Sequence, residues 1–274
     1  MNHLHRELAP ISPAGWAEIE KEAKRTLQTL LAARRVVDFR GPLGWGVSEV
    51  ELGRSEAIEA PRPAGAGLQV RLRKMQPLVE LRVPFEMSRS ELDAVDRGAR
   101  DPDVDPVTAA AREIAIAEDR AIFHGYEAAQ ITGICQARSA SAVPLGPSHV
   151  DYPDAVATAL TKLRDDGVEG PFAVALSEQL YRDLSARTEG GYPMLSHVQR
   201  LIDQPVVWAP GLEGGLVISQ RGGDFELTVG QDFWIGYLDH DGERVRLYIE
   251  ESFTFLILTE QAAIPLKAGG GKKS

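Results

Sequence analysis

Near the start of the chain, apolar residues recur at steps of three and four: Trp16, Ile19, Ala23, Leu27, Leu30 and Leu31. That spacing places them on one face of a helix. Ser12-Pro13 supplies a cap residue and then a proline at the first helical position, where a missing N–H costs nothing. Glu18, Glu20, Lys21, Glu22, Lys24 and Arg25 fall on the opposite face, and the helix is expected to end near Arg34-Arg35. Over 47–87 the period changes to two. Leu68, Val70 and Leu72, then Val79, Leu81, Val83, Phe85 and Met87, alternate with polar neighbours on either side of a Pro- and Gly-rich tip at 60–67. This predicts a long two-stranded arm with little core of its own, which needs a sheet to join, such as one on a neighbouring subunit. Pro84 points to an exposed strand edge.

Ser88-Arg89-Ser90-Glu91 has the pattern of a capping box and opens a short helix through Leu92 and Val95. A longer helix starts at Asp105-Pro106 and runs to about His124, with alanines and isoleucines giving it a broad apolar face. A polar interval at 139–148 precedes a helix at 152–165, a buried strand at 172–176 and a helix at 177–186. Glu189-Gly190-Gly191-Tyr192-Pro193 reads as a loop. From 206 the chain is mainly β, with strands at 206–208, 216–218 and 225–229 and a final pair at 244–250 and 252–259. The tail, 268–274, is expected to be unstructured. This order describes an α+β chain without βαβ repeats.

Composition narrows the function. A net charge of −10 argues against a nucleic-acid partner. No apolar run approaches the roughly 20 residues that cross a bilayer, so no membrane partner is expected. The single cysteine, Cys135, permits no internal disulfide and reads as an inert core residue. The N-terminus lacks the pattern of a signal peptide, which makes a cytoplasmic location the expectation. The six histidines have no helical ligand spacing. Glu118 and Asp119, with Glu113 nearby, diverge on a helix, so a solvated face or ion pairs with Arg112 or Arg120 are expected. Arg221-Gly222-Gly223-Asp224 is too short for a phosphate loop and reads as a turn. No catalytic residue, metal site or cofactor requirement emerges.

A series of blocks nevertheless resembles encapsulin shell proteins, in order and over nearly the whole chain. They begin with Leu8-Ala9-Pro10-Ile11 and the run from Arg34-Arg35 through Asp38-Phe39-Arg40-Gly41-Pro42 to Trp45. Gln76-Pro77-Leu78-Val79-Glu80 to Phe85, Ala117-Glu118-Asp119-Arg120 to Gly125, and Gly167 to Phe172 follow. Gly191-Tyr192-Pro193, Arg221-Gly222-Gly223-Asp224-Phe225, Gln231-Asp232-Phe233 and Ser252-Phe253-Thr254-Phe255 complete the series. Ala33 stands where relatives often have glycine, and Gly46-Val47 where they often have aromatics, which touches arm geometry rather than the family.

The resemblance implies the fold of tailed-phage major capsid proteins. An N-terminal helix region (1–46) and a spine-helix region (88–129) of a peripheral domain would flank the extended arm (47–87). An axial domain (130–225), return strands of the peripheral domain (226–267) and the tail would follow. It also implies a non-enzymatic, icosahedral nanocompartment of roughly sixty identical copies. Cargo enzyme would carry a targeting peptide bound on the inner wall; a dye-decolourising peroxidase or a ferritin-like protein is the expected cargo. The implied peptide groove is lined by Leu27, Leu30, Leu31, Ile235, Tyr237 and Ile249, with Arg34 and Asp38 as polar contacts. Glu189, Gly190, Gly191, Tyr192 and Pro193 would form a pore loop at the fivefold axis. A viral or prophage capsid subunit is the alternative.

Overall fold

The computed structural model describes residues 3–61, 67–146, 151–189 and 192–268. Its helices are α1 (Pro13–Leu30), α2 (Arg89–Asp96), α3 (Asp105–His124), α4 (Ile134–Ala137), α5 (Tyr152–Asp165), α6 (Glu178–Ala186) and α7 (Met194–Gln199). The strands before α5 are β1 (Asp38–Arg40), β2 (Glu49–Ile58), β3 (Val70–Pro77), β4 (Val79–Ser88) and β5 (Val143–Leu145). After it come β6 (Phe172–Leu176), β7 (Thr188–Glu189), β8 (Tyr192–Pro193), β9 (Val207–Trp208) and β10 (Gly215–Ser219). The last are β11 (Phe225–Val229), β12 (Trp234–His240), β13 (Arg244–Ile257) and β14 (Ala263–Ala268).

Two five-stranded sheets organise the chain. In the first, β11 and β12 pair end to end along one side of β13, β4 runs along the other, and β1 joins β11 in parallel. The second has the order β5-β14-β10-β6-β9. Helix α3 ties the two together. Its first half (Val107, Ala110, Ala111, Ile114, Ala115) packs with α1, β4 and β13, and its last residues (Ala121, Ile122, Phe123) enter the core under the second sheet. A helix buried against two cores needs small and branched apolar residues on more than one side, as its sequence has.

Helix α1 begins as expected, with Ser12 Oγ accepting from Gly15 N at 3.0 Å. It ends earlier than its sequence suggests, at Leu30. The next free amides, Ala32 N and Ala33 N, donate instead to the Asp119 carboxylate of α3 at 3.0 and 2.9 Å. A tertiary acceptor takes the bonds that would have continued the helix. Glu22, placed on the polar face by periodicity, is in fact buried and pairs with Arg25 at 2.5 Å. The capping box at Ser88 does not form: Ser88 ends β4, and Glu91 Oε2 accepts from Asp103 N at 3.0 Å.

The ribbon is shorter than the 47–87 arm. Strands β2 and β3 pair only with each other among the described residues, while β4 leaves them to pair with β13 from Phe253↔Val79 to Arg244↔Ser88. Here β4 buries Phe85 and Met87, which the isolated ribbon has no core to receive. Pro84 lies on this edge strand, opposite Tyr248. Segments 244–250 and 252–259, read as a pair of strands, form one strand ending at Ile257, because β4 pairs continuously across the junction between β12 and β11.

The strands after 226 also divide. β11 to β13 belong to the first sheet, but β14, unread in the sequence, inserts between β5 and β10 in the second. Of the tail, Ala268 ends β14, and 269–274 lie outside the described residues.

Candidate functional site

A hollow of about 440 Å³ with a largely apolar floor lies between α1, the start of β12 and the middle of β13. Ala23, Leu27 and Leu31 line one wall and Phe233, Trp234, Ile235 and Ile249 the other; Arg6, Glu20, Lys24, Asp232 and Arg34 bring charge to it. Leu27 and Leu31 lie one helical turn apart, so both face the hollow. Ile235 and Ile249 are register partners on β12 and β13, and therefore share a sheet face. Trp234 is half exposed. β12 pairs only with β13 among the described strands, and the N-terminal segment covers part of its outer edge, where Tyr237 N donates to Leu4 O at 2.8 Å.

Of the residues assigned to a groove, Leu27, Leu31, Arg34, Ile235 and Ile249 are brought together here. Three are not. Leu30 points into the core with α3. Tyr237 is half-buried, its hydroxyl 2.6 Å from His240 Nδ1. Asp38 lies on β1, where its Oδ2 accepts from Gly223 N at 2.6 Å and braces the turn between β10 and β11. That turn is closed by Arg221 and Asp224, with Gly222 and Gly223 at φ of 84° and 79°. The loop read at 189–193 contains the two-residue strands β7 and β8, in register Glu189↔Tyr192. Gly190 and Gly191 lie outside the described residues, and Pro193 precedes α7.

Under the groove sits a charged cluster that contradicts the solvated-face reading of Glu118 and Asp119. Both are fully buried. Glu118 pairs with Arg34 rather than with Arg112 or Arg120: Arg34 Nε donates to Oε1 and Oε2 at 2.9 Å, and its Nη2 donates to Oε2 at 2.5 Å. The same Nη2 donates to Glu251 Oε2 at 3.0 Å, and Nη1 to Asp232 Oδ1 at 2.8 Å. Phe233 and Phe39 flank the guanidinium at 4.6 and 5.2 Å. Burial pulls the Arg34 pKa down, but Glu118, Glu251 and Asp232 outweigh it and hold the group more basic than usual. Burial pushes Asp119 up to about 8 against its two backbone N–H bonds. It also drives Glu251 well above the usual carboxyl range, with Glu118 beside it adding to the shift.

Reading the sequence missed Glu251, Asp232, Phe233 and Trp234. Glu251 fell at the supposed break between two strands. On one continuous strand it shares a face with Leu247 and Ile249, and a charge in that register is the sign of a buried ion pair. Cys135 is buried, and burial pushes its thiol up to about 12, as an inert core residue requires.

The chain matches the family described as "Encapsulating protein for peroxidase" over residues 1–254. It is 56% identical over 271 residues to a type 1 encapsulin shell protein of Rhodospirillum rubrum, covering 97% of each chain. It is 46% identical over 266 residues to that of Mycobacterium tuberculosis, covering 97% of this chain and 99% of the other. Among solved structures, a virus-like particle from Pyrococcus furiosus superposes with a TM-score of 0.63 at 13% identity, covering 92% of this chain and 98% of that one. The capsid of Myoviridae phage XM1 gives 0.54 at 12% identity, covering 87% of this chain and 92% of that one. These likenesses identify the α+β architecture as the phage major-capsid fold.

Proposed function

The chain belongs to the encapsulin shell protein family, and from that premise we propose that its shell captures cargo by holding an apolar peptide segment in the groove between α1 and β12–β13. The subunit itself is structural rather than enzymatic and assembles with copies of itself into a capsid-like particle. The viral or prophage alternative is not favoured, because the close relatives are shell proteins and the phage likeness is one of fold alone.

One observation carries the peptide reading. Leu27, Leu31, Ile235 and Ile249 make an apolar floor open to one side, while Arg6, Glu20, Arg34 and Asp232 at its rim already pair with one another or with buried acids, leaving the exposed Lys24, among the described residues, as the rim charge open to a partner. Arg6 pairs with Glu20 at 2.5 Å and lies over Trp16 at 4.0 Å, and three carboxyl groups contact Arg34. A floor of this kind rewards apolar side chains from an extended segment, and a helix beside a strand edge fixes their direction. Weak contacts suffice where many subunits meet an oligomeric cargo. The family's description names a peroxidase as the encapsulated protein, so a dye-decolourising peroxidase is the first cargo to test and a ferritin-like protein the second.

In this reading the first sheet with α1 and α3 forms the peripheral domain, β2–β3 the arm, and most of the second sheet the axial domain. The β7–β8 hairpin then sits at the fivefold axis, and the compartment lies in the cytoplasm.

Leu27→Asp puts a charge where apolar peptide groups would sit. Shells of normal size with cargo reduced at least several-fold are expected, against full loading in Lys21→Gln, an exposed pair with Glu18 on α1. Glu20 is unsuitable as the control because it lines the groove. Full loading of Leu27→Asp shells would place the peptide elsewhere.

A further inference from the structure

The cluster beneath the groove holds more acid than one guanidinium balances. Glu118 on α3 and Glu251 on β13 are both fully buried, and one nitrogen, Arg34 Nη2, lies within hydrogen-bond distance of an oxygen from each. Asp232, just before β12, takes Arg34 Nη1. Asp119, the next residue of α3, is also buried, but both its oxygens accept backbone N–H bonds from Ala32 and Ala33. Glu250 serves the opposite sheet face, where Arg82 at 2.6 Å, Gln231 at 3.0 Å and His3 at 3.3 Å engage it. No second cation among the described residues contacts Glu118 or Glu251. The remaining oxygen of Glu251, Oε1, is buried with no hydrogen-bond partner. A buried oxygen that receives no hydrogen bond costs far more on an ionised carboxylate than on a carboxyl carrying a proton.

We infer that Glu118 and Glu251 share one proton in the assembled shell, and that this proton holds α3 to β13 beneath the groove. Two carboxylates on one guanidinium in a dry site repel, and retaining a proton on one of them removes the repulsion. The upward displacement of Glu251 by burial and by Glu118 agrees. Arg34 lines the groove and also clamps both acids, so releasing the proton loosens the groove floor together with the joint. Only a proton leaves; no bond is broken and no co-reactant is needed.

The sign of the effect follows. A glutamate free in the unfolded chain ionises near about 4.3. Above that, the Glu118–Glu251 pair holds one proton more in the folded chain than in the unfolded one, so its contribution to stability falls as pH rises and levels off once Glu251 has ionised. The inference does not rest on the peptide reading, and it is tested on shells without cargo.

Infrared difference spectroscopy on intact shells at neutral pH reads the protonated-carboxyl carbonyl band directly. Glu251→Gln should abolish a band that wild type loses on alkaline titration, and Asp119→Asn should leave it. Thermal midpoints measured from acid to alkaline pH should fall in wild type and stay flatter in Glu251→Gln, so that the variant gains on wild type as pH rises. Should Glu251→Gln not assemble, the wild-type titration together with Glu118→Gln shells serves instead, with the same band lost or shifted. Parallel midpoint profiles, no protonated-acid band in wild type, or a band that disappears only in Asp119→Asn would each overturn the inference.

Discussion

Replacing Arg34 with leucine removes the one cation that touches three carboxyl groups, two of them on fully buried side chains. The Arg34 side chain is itself only 14% exposed, so water does not take over its role. With Glu251 protonated, one buried charge, that of Glu118, loses its partner. Breaking a buried pair on one side costs about 3–5 kcal/mol, because an uncompensated charge remains. For a chain of this size that corresponds to a fall in thermal midpoint of about 6–20 °C, at roughly 2–4 °C per kcal/mol. Apolar contact of the new leucine with Phe39 and Phe233 offsets a small part of it. The assay is thermal unfolding of purified shells at one fixed scan rate, because the midpoint of a large assembly that unfolds irreversibly is partly kinetic and depends on that rate. The deficit must also depend on pH. Removing Arg34 favours protonation of the acids left in the folded core, so the loss is largest above neutrality and shrinks as pH falls through the range where they take up protons. Adding Glu118→Gln and Glu251→Gln to Arg34→Leu should restore most of the midpoint, since neutral polar groups replace the stranded charge. A loss under about 3 °C, or one equal at acid and alkaline pH, would refute the account of Arg34 as an indispensable counter-charge.

Two further outcomes concern assembly and access. Ile58, Val70 and Leu72 share one face of the β2–β3 ribbon, mostly exposed, while Arg71 and Arg73 occupy the other. Leu72→Asp should therefore cut the yield of intact particles at least several-fold in size-exclusion chromatography with light scattering, and Arg73→Ser should not; equal yields would remove the ribbon's apolar face from assembly. If the β7–β8 hairpin rings a pore, Glu189→Lys should slow metal-cation entry into loaded shells without changing particle mass, as charged rings do in channels, and unchanged rates would place the entry elsewhere.

Local pattern alone located most of the elements. The bounds of α3 and α5, the buried strand β6 and the strand β11 follow from periodicity and from Pro and Gly punctuation, because each is set by which residues are apolar and where the backbone must turn. Leu27, Leu31 and Ile249 belong to apolar stripes that the sequence displays, whereas Ile235, on the unread strand β12, enters only through the family resemblance. That the α1 stripe and the late strands enclose one hollow, and that Leu30, Tyr237 and Asp38 stay out of it, is decided by packing. The rest depended on partners far away in the chain. Helix α1 stops at Leu30 because Asp119, 87 residues after Ala32, takes the next amide. β4 leaves the ribbon because β13 offers it a core, and β14 enters the second sheet between β5 and β10. Nothing in the sequence groups Arg34, Glu118, Asp232 and Glu251; only the fold makes them one site, by burying two acids where a single guanidinium, 84 and 217 residues away from them, is the available counter-charge. A charged residue shows its type in the sequence but not its solvent, and solvent decides whether it is a surface decoration or a costly buried group whose partner the structure must supply.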